Sequence, residues 1–182
     1  MMDWTDIIVR GNRRMLASDL DILHGTAMAV KAKTIVEIGS MDGCSSMCLG
    51  LVAKETDGSL YCIEPSPKAR WKQNIKDLFL TDYVTLIMAE SPWVDTRMIP
   101  KPIDYLLIDG NHKTRWCLVD YHFWERFVRP GGMIAFHDYN GAKGVGDWIR
   151  RALDIIIEDD DLIEIVSNNT KDRGTIVFQK KQ

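Results

Sequence analysis

Seven short runs of apolar and β-branched residues recur along the chain, and helical patterns separate most of them. That alternation is the mark of βαβ units, in which helices cover both faces of a parallel sheet. It constrains the chain more than any single motif, because parallel strands must be joined by crossovers. An N-terminal helical segment over Thr5–Lys31 precedes the first strand, Thr34–Ile38, and Cys44–Lys54 reads as the helix after it. Ser59–Glu64 is the second strand, Pro67–Phe79 a helix with proline near its start, and Tyr83–Met88 the third strand. Ile103–Ile108 is apolar apart from Asp104, as a strand covered on both faces should be. A helix over His112–Val128 then places Trp116, Val119, Phe123 and Phe127 on one face and stops at Arg129-Pro130-Gly131-Gly132. Met133–His137 is a fifth strand. Gly144–Ile157 is amphipathic, with Val145, Trp148, Ile149, Ala152 and Ile156 on its apolar side, and Leu162–Val166 and Thr175–Gln179 form a closing hairpin.

The chain has 182 residues, the size of one domain able to bury its own core. We therefore expect residues 1–182 to form a single domain, with residues 1–31 as a helical segment and residues 34–179 as the core. Hydrophobic residues make up 46% and charged residues 27%, a globular balance, and no stretch approaches the roughly 20 uncharged apolar residues of a membrane span. Acids at Asp3 and Asp6 stand where a secretion signal needs a basic flank, so a cytoplasmic protein is expected. The net charge of -3, with basic residues scattered, argues against nucleic-acid and membrane partners and for a small-molecule substrate. Cysteines 44, 48, 62 and 117 form no C-x-x-C pair and read as buried, reduced thiols. Glu158-Asp159-Asp160-Asp161 reads as a solvated turn rather than a calcium loop, since it lacks the glycine and spaced ligands of one.

In open parallel sheets the ligand lies beyond the carboxyl ends of the strands, where the strand order reverses. The first strand ends in Glu37-Ile38-Gly39-Ser40-Met41-Asp42-Gly43-Cys44-Ser45, so two glycines bracket a tight turn into a helix. A dinucleotide fingerprint needs a position free of side chain where Met41 stands, which disfavours NAD. Glu37 brings a carboxylate to the loop, suiting a ligand with cationic groups, such as the ammonium and sulfonium of S-adenosylmethionine. Glu64 ends the second strand, the place of a ribose-binding acid.

Glu37, Gly39, Gly43 and Ser45 match the motif E/D-x-G-x-x-x-G-x-S, and from about Thr34 to Phe178 the sequence resembles the class I S-adenosylmethionine-dependent methyltransferases. The resemblance implies a doubly wound, Rossmann-like α/β sheet of seven strands in three layers, in the order 3-2-1-4-5-7-6, mostly parallel with an antiparallel last strand. It implies that Gly39, Ser40 and Ser45 contact the methionine part of the cofactor, that Glu64 binds its ribose, and that Ala89-Glu90-Ser91 falls at the adenine, with Ser91 a weaker match.

Ile108-Asp109-Gly110-Asn111-His112 and Phe136-His137-Asp138-Tyr139 end the fourth and fifth strands and should face the same crevice. Asp109, His137 and Asp138 are within reach of one divalent cation if those strands are neighbours. The same residues look like the metal-assisted small-molecule O-methyltransferases of the catechol, macrocin and cephalosporin-hydroxylase-like groups. That likeness makes Asp109 a catalytic metal ligand beside the cofactor, Asp138 and its predecessor the other ligands, and His112 the general base for an acceptor hydroxyl. His137 stands where much of that set has a carboxylate; magnesium or manganese is the candidate ion, and imidazole suits manganese, iron or zinc better than magnesium. The alternative use of Asp109 and Asp138 is to cap the helices after them, and that of His137 is an interior hydrogen bond. Trp93, Trp116 and Tyr139 lie near the crevice by position.

The expected activity is methylation of a small-molecule oxygen, of a sugar or phenol, with residues 1–30 or a second subunit completing the pocket and hence a homo-oligomer. The rivals are an NAD(P)-binding Rossmann-type oxidoreductase and a non-catalytic methyltransferase-like binding domain.

Overall fold

The computed structural model describes residues 2–140, 144–159, 162–168 and 173–181; Asp160 and Asp161 of the acidic run lie outside them. Helices α1 (Thr5–Arg10) and α2 (Ala17–Ala29) lead into β1 (Thr34–Ile38). There follow α3 (Cys44–Thr56), β2 (Ser59–Ile63), α4 (Ala69–Asp77), β3 (Val84–Ile87), β4 (Ile103–Ile108) and α5 (Thr114–Trp124). The described chain closes with β5 (Val128–His137), α6 (Val145–Asp159), β6 (Leu162–Ser167) and β7 (Thr175–Lys180). The N-terminal segment is two helices rather than one. Gly11 passes so close to α3 that a Cβ there would stand 2.4 Å from the Cβ of Cys44, and Asn12 and Arg13 turn the chain at positive φ.

Among the described residues the strands form one sheet in the order β3-β2-β1-β4-β5-β7-β6. All neighbours are parallel except β7, which runs antiparallel to both β5 and β6. The order and the antiparallel last strand are those expected. The order reverses between β1 and β4, so the crevice opens at their carboxyl ends.

Strand alternation sorts the core into two layers. Ile35, Tyr105, Leu107 and Ala135 pack under α2, α3 and α4, whereas Val36, Leu106, Ile108 and Phe136 pack under α5 and α6. Each large side chain buried this way stabilises the fold by roughly 1.5–3 kcal/mol. The hydroxyl of the fully buried Tyr105 finds Thr26 Oγ1 of α2 at 2.9 Å. All four cysteines are buried and free, as expected.

Two readings of the second half need correction. The buried face of α5 carries Cys117, Asp120, Tyr121 and Trp124, one position round from the stripe read in the sequence, and Trp116 is exposed. Arg129-Pro130-Gly131-Gly132 does not precede the fifth strand but lies inside its span. Ile103 pairs with Val128 and Tyr105 with Met133, so the prolyl-glycyl residues bulge between two paired stretches. Gly131 supplies φ +73° there, and Arg129 Nε holds Asp104 Oδ1 at 2.6 Å across the bulge.

Candidate functional site

The turn after β1 is stitched to both neighbouring strands. Gly39 N–H donates to Ile63 O at 3.0 Å and Asp109 N–H to Ile38 O at 2.8 Å. Gly39 takes φ +85°, and a Cβ there would lie 2.2 Å from the Asp109 carbonyl oxygen. Met41 follows at φ +37° with its side chain exposed, so the position a dinucleotide loop keeps bare is occupied. Gly43, at φ +88°, starts α3. Glu64 braces the turn: its carboxylate accepts from Ser40 N (3.2 Å), Met41 N (3.3 Å) and Ser66 N (2.8 Å). Ser40 Oγ is buried in the wall of the crevice without a hydrogen-bond partner.

Glu37 is placed differently from the expectation. It is fully buried behind the loop, on the α3 side of β1, where it accepts hydrogen bonds from the Ser45 hydroxyl, from Ser46 Oγ (2.5 Å) and from the Cys62 thiol (2.9 Å). Its carboxylate cannot meet a ligand's cationic group from there. Glu37 instead fixes α3 to β1, and Ser45, although at the pocket wall, spends its hydroxyl on Glu37. Burial pushes the Glu37 carboxyl up to about 7 against the pull of the three donors. An acid with a folded pKa above its unfolded one carries an extra proton when folded, so stability is lost as pH climbs from about 4.5 through about 7. Glu37→Gln should therefore gain on the wild type between about pH 5 and about pH 8, by on the order of 3 kcal/mol, in urea melts. Parallel stability curves for the two proteins would remove the assignment.

At the tips of β4 and β5 the structure brings together the residues predicted to do so. Asp109, His137 and Asp138 place one potential ligand atom each within 4.8 Å of the others. His137 Nδ1 is 3.2 Å from Asp109 Oδ1, and His112 Nε2 lies 3.4 Å from Asp109 Oδ1 and 3.3 Å from Asp138 Oδ2. Burial opposes charge on Asp109, yet His137 and His112 hold its carboxyl down at about 2. Burial likewise opposes protonation of both histidines, but Asp109 and Asp138 outweigh it and raise both, His137 well above its ordinary value. Asp138, at φ +58°, is raised, by burial first and the Asp109 charge next.

Asp19, from α2, has no local signature that would mark it as a site residue. It is fully buried, accepts hydrogen bonds from Leu16 N, Asn168 Nδ2 and Thr175 Oγ1, and sets Oδ2 3.6 Å from His137 Nε2. Burial works against its charge, and His137 and Asn168 more than compensate. His137 thus stands between a carboxylate behind it and the Asp109–Asp138 pair in front. A histidine with one nitrogen toward an acid and the other toward oxygen ligands is the usual setting of a metal-bound imidazole, so this donor set fits a divalent cation.

The turn and the acid–histidine cluster border one pocket of about 500 Å³, and Glu37 and Asp19 are not among the residues that line it. Gly39, Ser40, Ser45, Glu64, Asp109, His112, His137 and Asp138 are in its wall, and Gly43 is not. Ser91 closes the side next to β3, while Arg14, Met15 and Arg173 close the other, so the N-terminal segment does contribute. Asp42, buried between Arg14 and Arg70, and Asp120 are wall residues the sequence reading missed. Of the three aromatic candidates Trp116 is in the wall and Trp93 and Tyr139 are not.

Comparison with known proteins agrees with this geometry. The profile of the family described as "Methyltransferase domain" matches residues 36–139, more than half of the chain. An uncharacterized protein of Acanthamoeba polyphaga mimivirus is 30% identical over 116 residues, 58% of this chain and 51% of its own length, so the match spans about half of that relative. The O-methyltransferase TomG of Streptomyces achromogenes, solved with S-adenosylmethionine, superposes with a TM-score of 0.79 at 18% identity, covering 100% of this chain and 92% of that one. An O-methyltransferase of Bacillus cereus, solved with S-adenosylhomocysteine, gives 0.77 at 17% identity over 99% and 92% of the two chains. At such identity these two structures speak for the fold.

Proposed function

This chain belongs to the methyltransferase-domain family, and we propose that it transfers a methyl group from S-adenosylmethionine to a hydroxyl oxygen of a small molecule, a sugar or phenol. The observation that carries the reading is the join of two half-sites in one pocket: a side-chain-bearing glycine turn braced by Glu64, and an acid–histidine cluster at the next two strand tips. Ser40 Oγ, buried without a partner beside the turn, suits a polar ligand there. S-adenosylmethionine supplies a sulfonium-bound methyl whose C–S bond breaks as the acceptor oxygen forms its C–O bond, leaving a neutral thioether.

The chain's own residues do the rest. Glu64 holds the ribose hydroxyls, and Ser40 with the backbone of the turn holds the methionine end. His112 accepts the acceptor's hydroxyl proton at Nε2, and Asp109 and Asp138 stabilise the imidazolium that results. Asp109, His137 and Asp138 would hold a divalent cation, of the manganese kind rather than magnesium, which supplies positive charge to lower the pKa of a bound hydroxyl. Asp19 steadies His137 from behind. The same reading gives no nucleic-acid or membrane partner, a cytoplasmic setting and a homo-oligomer; no helix among the described residues is long and apolar enough to cross a membrane.

A thermal-shift comparison tests the donor. S-adenosylhomocysteine should raise the melting temperature and NAD should not. A shift with NAD alone would favour an oxidoreductase. Donor binding with no transfer to any hydroxyl acceptor, with or without metal, would mark a binding domain. For the metal, calorimetry should show manganese binding that releases protons, since Asp109, Asp19 and Asp138 favour the proton on His137 in its absence, and Asp138→Ala should abolish that heat. Unchanged heat in the variant, or full activity after chelation, would leave the two acids as positioning groups only.

A further inference from the structure

We propose that Arg14 and Arg173 hold a carboxylate of the acceptor, so that the pocket selects a small molecule bearing both a hydroxyl and a carboxylate; the inference rests on the donor reading above. The two arginines come from opposite ends of the chain and line the same pocket. They meet at one corner. Arg173 Nη1 donates to Arg13 O at 2.6 Å, the carbonyl next to Arg14. Arg14 follows the turn that Asn12 and Arg13 make at positive φ, and its Nε lies 3.6 Å from Asp42 Oδ2. Arg173 is set in place by the sheet. His137 pairs with Thr175, and Tyr139 N–H donates to Gly174 O at 3.3 Å, so Arg173 enters β7 level with the tip of β5. Gly174 permits that approach: at φ +152° a Cβ there would stand 2.9 Å from Tyr139 Cε1. Asn168 braces the same stretch, accepting from Thr175 N at 2.6 Å and donating to Asp19 Oδ1 at 2.8 Å.

The topology leaves this corner to the acceptor. The donor's methionine end lies at the turn after β1 and its ribose at Glu64 after β2, whereas Arg173 stands at β7, with the tips of β4 and β5 in between. Those two tips carry Asp109, His112 and Asp138, where the reacting hydroxyl is held. A guanidinium repels a sulfonium, so the methyl-bearing end of the donor does not explain two arginines in the wall. An anion does. The guanidinium fork matches a carboxylate with two parallel N–H···O bonds. Elsewhere in the wall, Glu64, Glu90, Asp109 and Asp138 repel a doubly charged phosphate more than a singly charged carboxylate. An acceptor held by its carboxylate at this corner turns its hydroxyl toward His112, which favours the rate as well as the affinity.

The test is calorimetric titration of the full chain, first with S-adenosylhomocysteine and then, saturated with it, with two matched pairs of probes: 3,4-dihydroxybenzoate and its neutral amide, and glucuronate and glucuronamide. A chelator is present throughout, so that no cation holds the carboxylate. In at least one pair the acid should bind about tenfold or more tightly than the amide, as a charge-assisted pair of bonds allows. Arg173→Gln should bring that pair within about threefold of each other and leave the affinity for S-adenosylhomocysteine within about threefold of the wild type. Arg14→Gln should narrow the preference too. Amides that bind as well as their acids, or no binding of any of the four, would overturn the proposal and leave the donor reading standing. So would a loss of S-adenosylhomocysteine affinity in Arg173→Gln with the acid preference intact, which would put the donor's own carboxylate on that arginine. If Arg173→Gln fails to fold, an unaltered preference in Arg14→Gln overturns the proposal. A wild type that does not bind S-adenosylhomocysteine would sink the donor reading and this inference with it.

Discussion

Replacing His112 by alanine lowers the rate of methyl transfer by about 10²–10⁴-fold, the range a positioned general base contributes, and leaves affinity for S-adenosylhomocysteine within about threefold. Glu64→Ala does the reverse. It removes the carboxylate that accepts from Ser40 N and Met41 N and with it the proposed ribose contact, so affinity should fall about 10–100-fold while the turnover of bound donor changes less. The pH profile gives an independent readout. Burial would lower the His112 pKa, but Asp109 and Asp138 raise it above 6.5, and only the unprotonated imidazole can accept a proton. The rate should therefore climb with pH through a midpoint above 6.5, and the alanine variant should lack that limb. The midpoint belongs to the cluster, because His112 and His137 share Asp109. Equal losses of rate and affinity in both variants would refute the division of roles.

Much of the site's placement was legible in the sequence because it follows from strand ends. Thr34–Ile38 and Ile103–Ile108 are strands with the bounds that their apolar runs suggested. Residues just beyond such ends, Gly39, Glu64, Asp109 and Asp138, then fall into the crevice by topology alone. Side-chain direction was harder to read. Glu37 lies within β1 rather than after it, and strand alternation turns it toward α3, away from the crevice. On α5, two apolar stripes stand one residue apart, and the buried one carries Asp120, a charge that a binary pattern sends to solvent. Asp19 and Asp42 were invisible for another reason. Asp19 meets His137 across 118 positions of sequence, and Asp42 meets Arg14 through the break between α1 and α2; neither contact has a local signature.

The close approach of β1 and β4 leads to the largest structural effect expected of a single methyl group. Gly39→Ala would place its Cβ 2.2 Å from the Asp109 carbonyl oxygen and 2.8 Å from Gly110 Cα, both backbone atoms that cannot rotate aside. The φ of +85° adds a cost of about 1–2 kcal/mol for any L side chain, and forcing the strands apart adds roughly 1–3 kcal/mol more. Relief can come only by moving the β4 tip, yet the bonds Gly39 N to Ile63 O and Asp109 N to Ile38 O hold both tips in place. Displacing that tip shifts Asp109 and Gly110, and with them the acid–histidine cluster and the pocket wall. Gly39→Ala should thus lose stability in denaturant melts, donor binding in calorimetry and methyl transfer all together. Gly25→Ala is the matched control: it sits in α2 with nothing within 4 Å of the added Cβ, and should gain about 0.5–1 kcal/mol without altering binding. A Gly39→Ala protein with wild-type stability and donor affinity would mean that the strand tips are not held this closely, and the shared pocket would lose its structural basis.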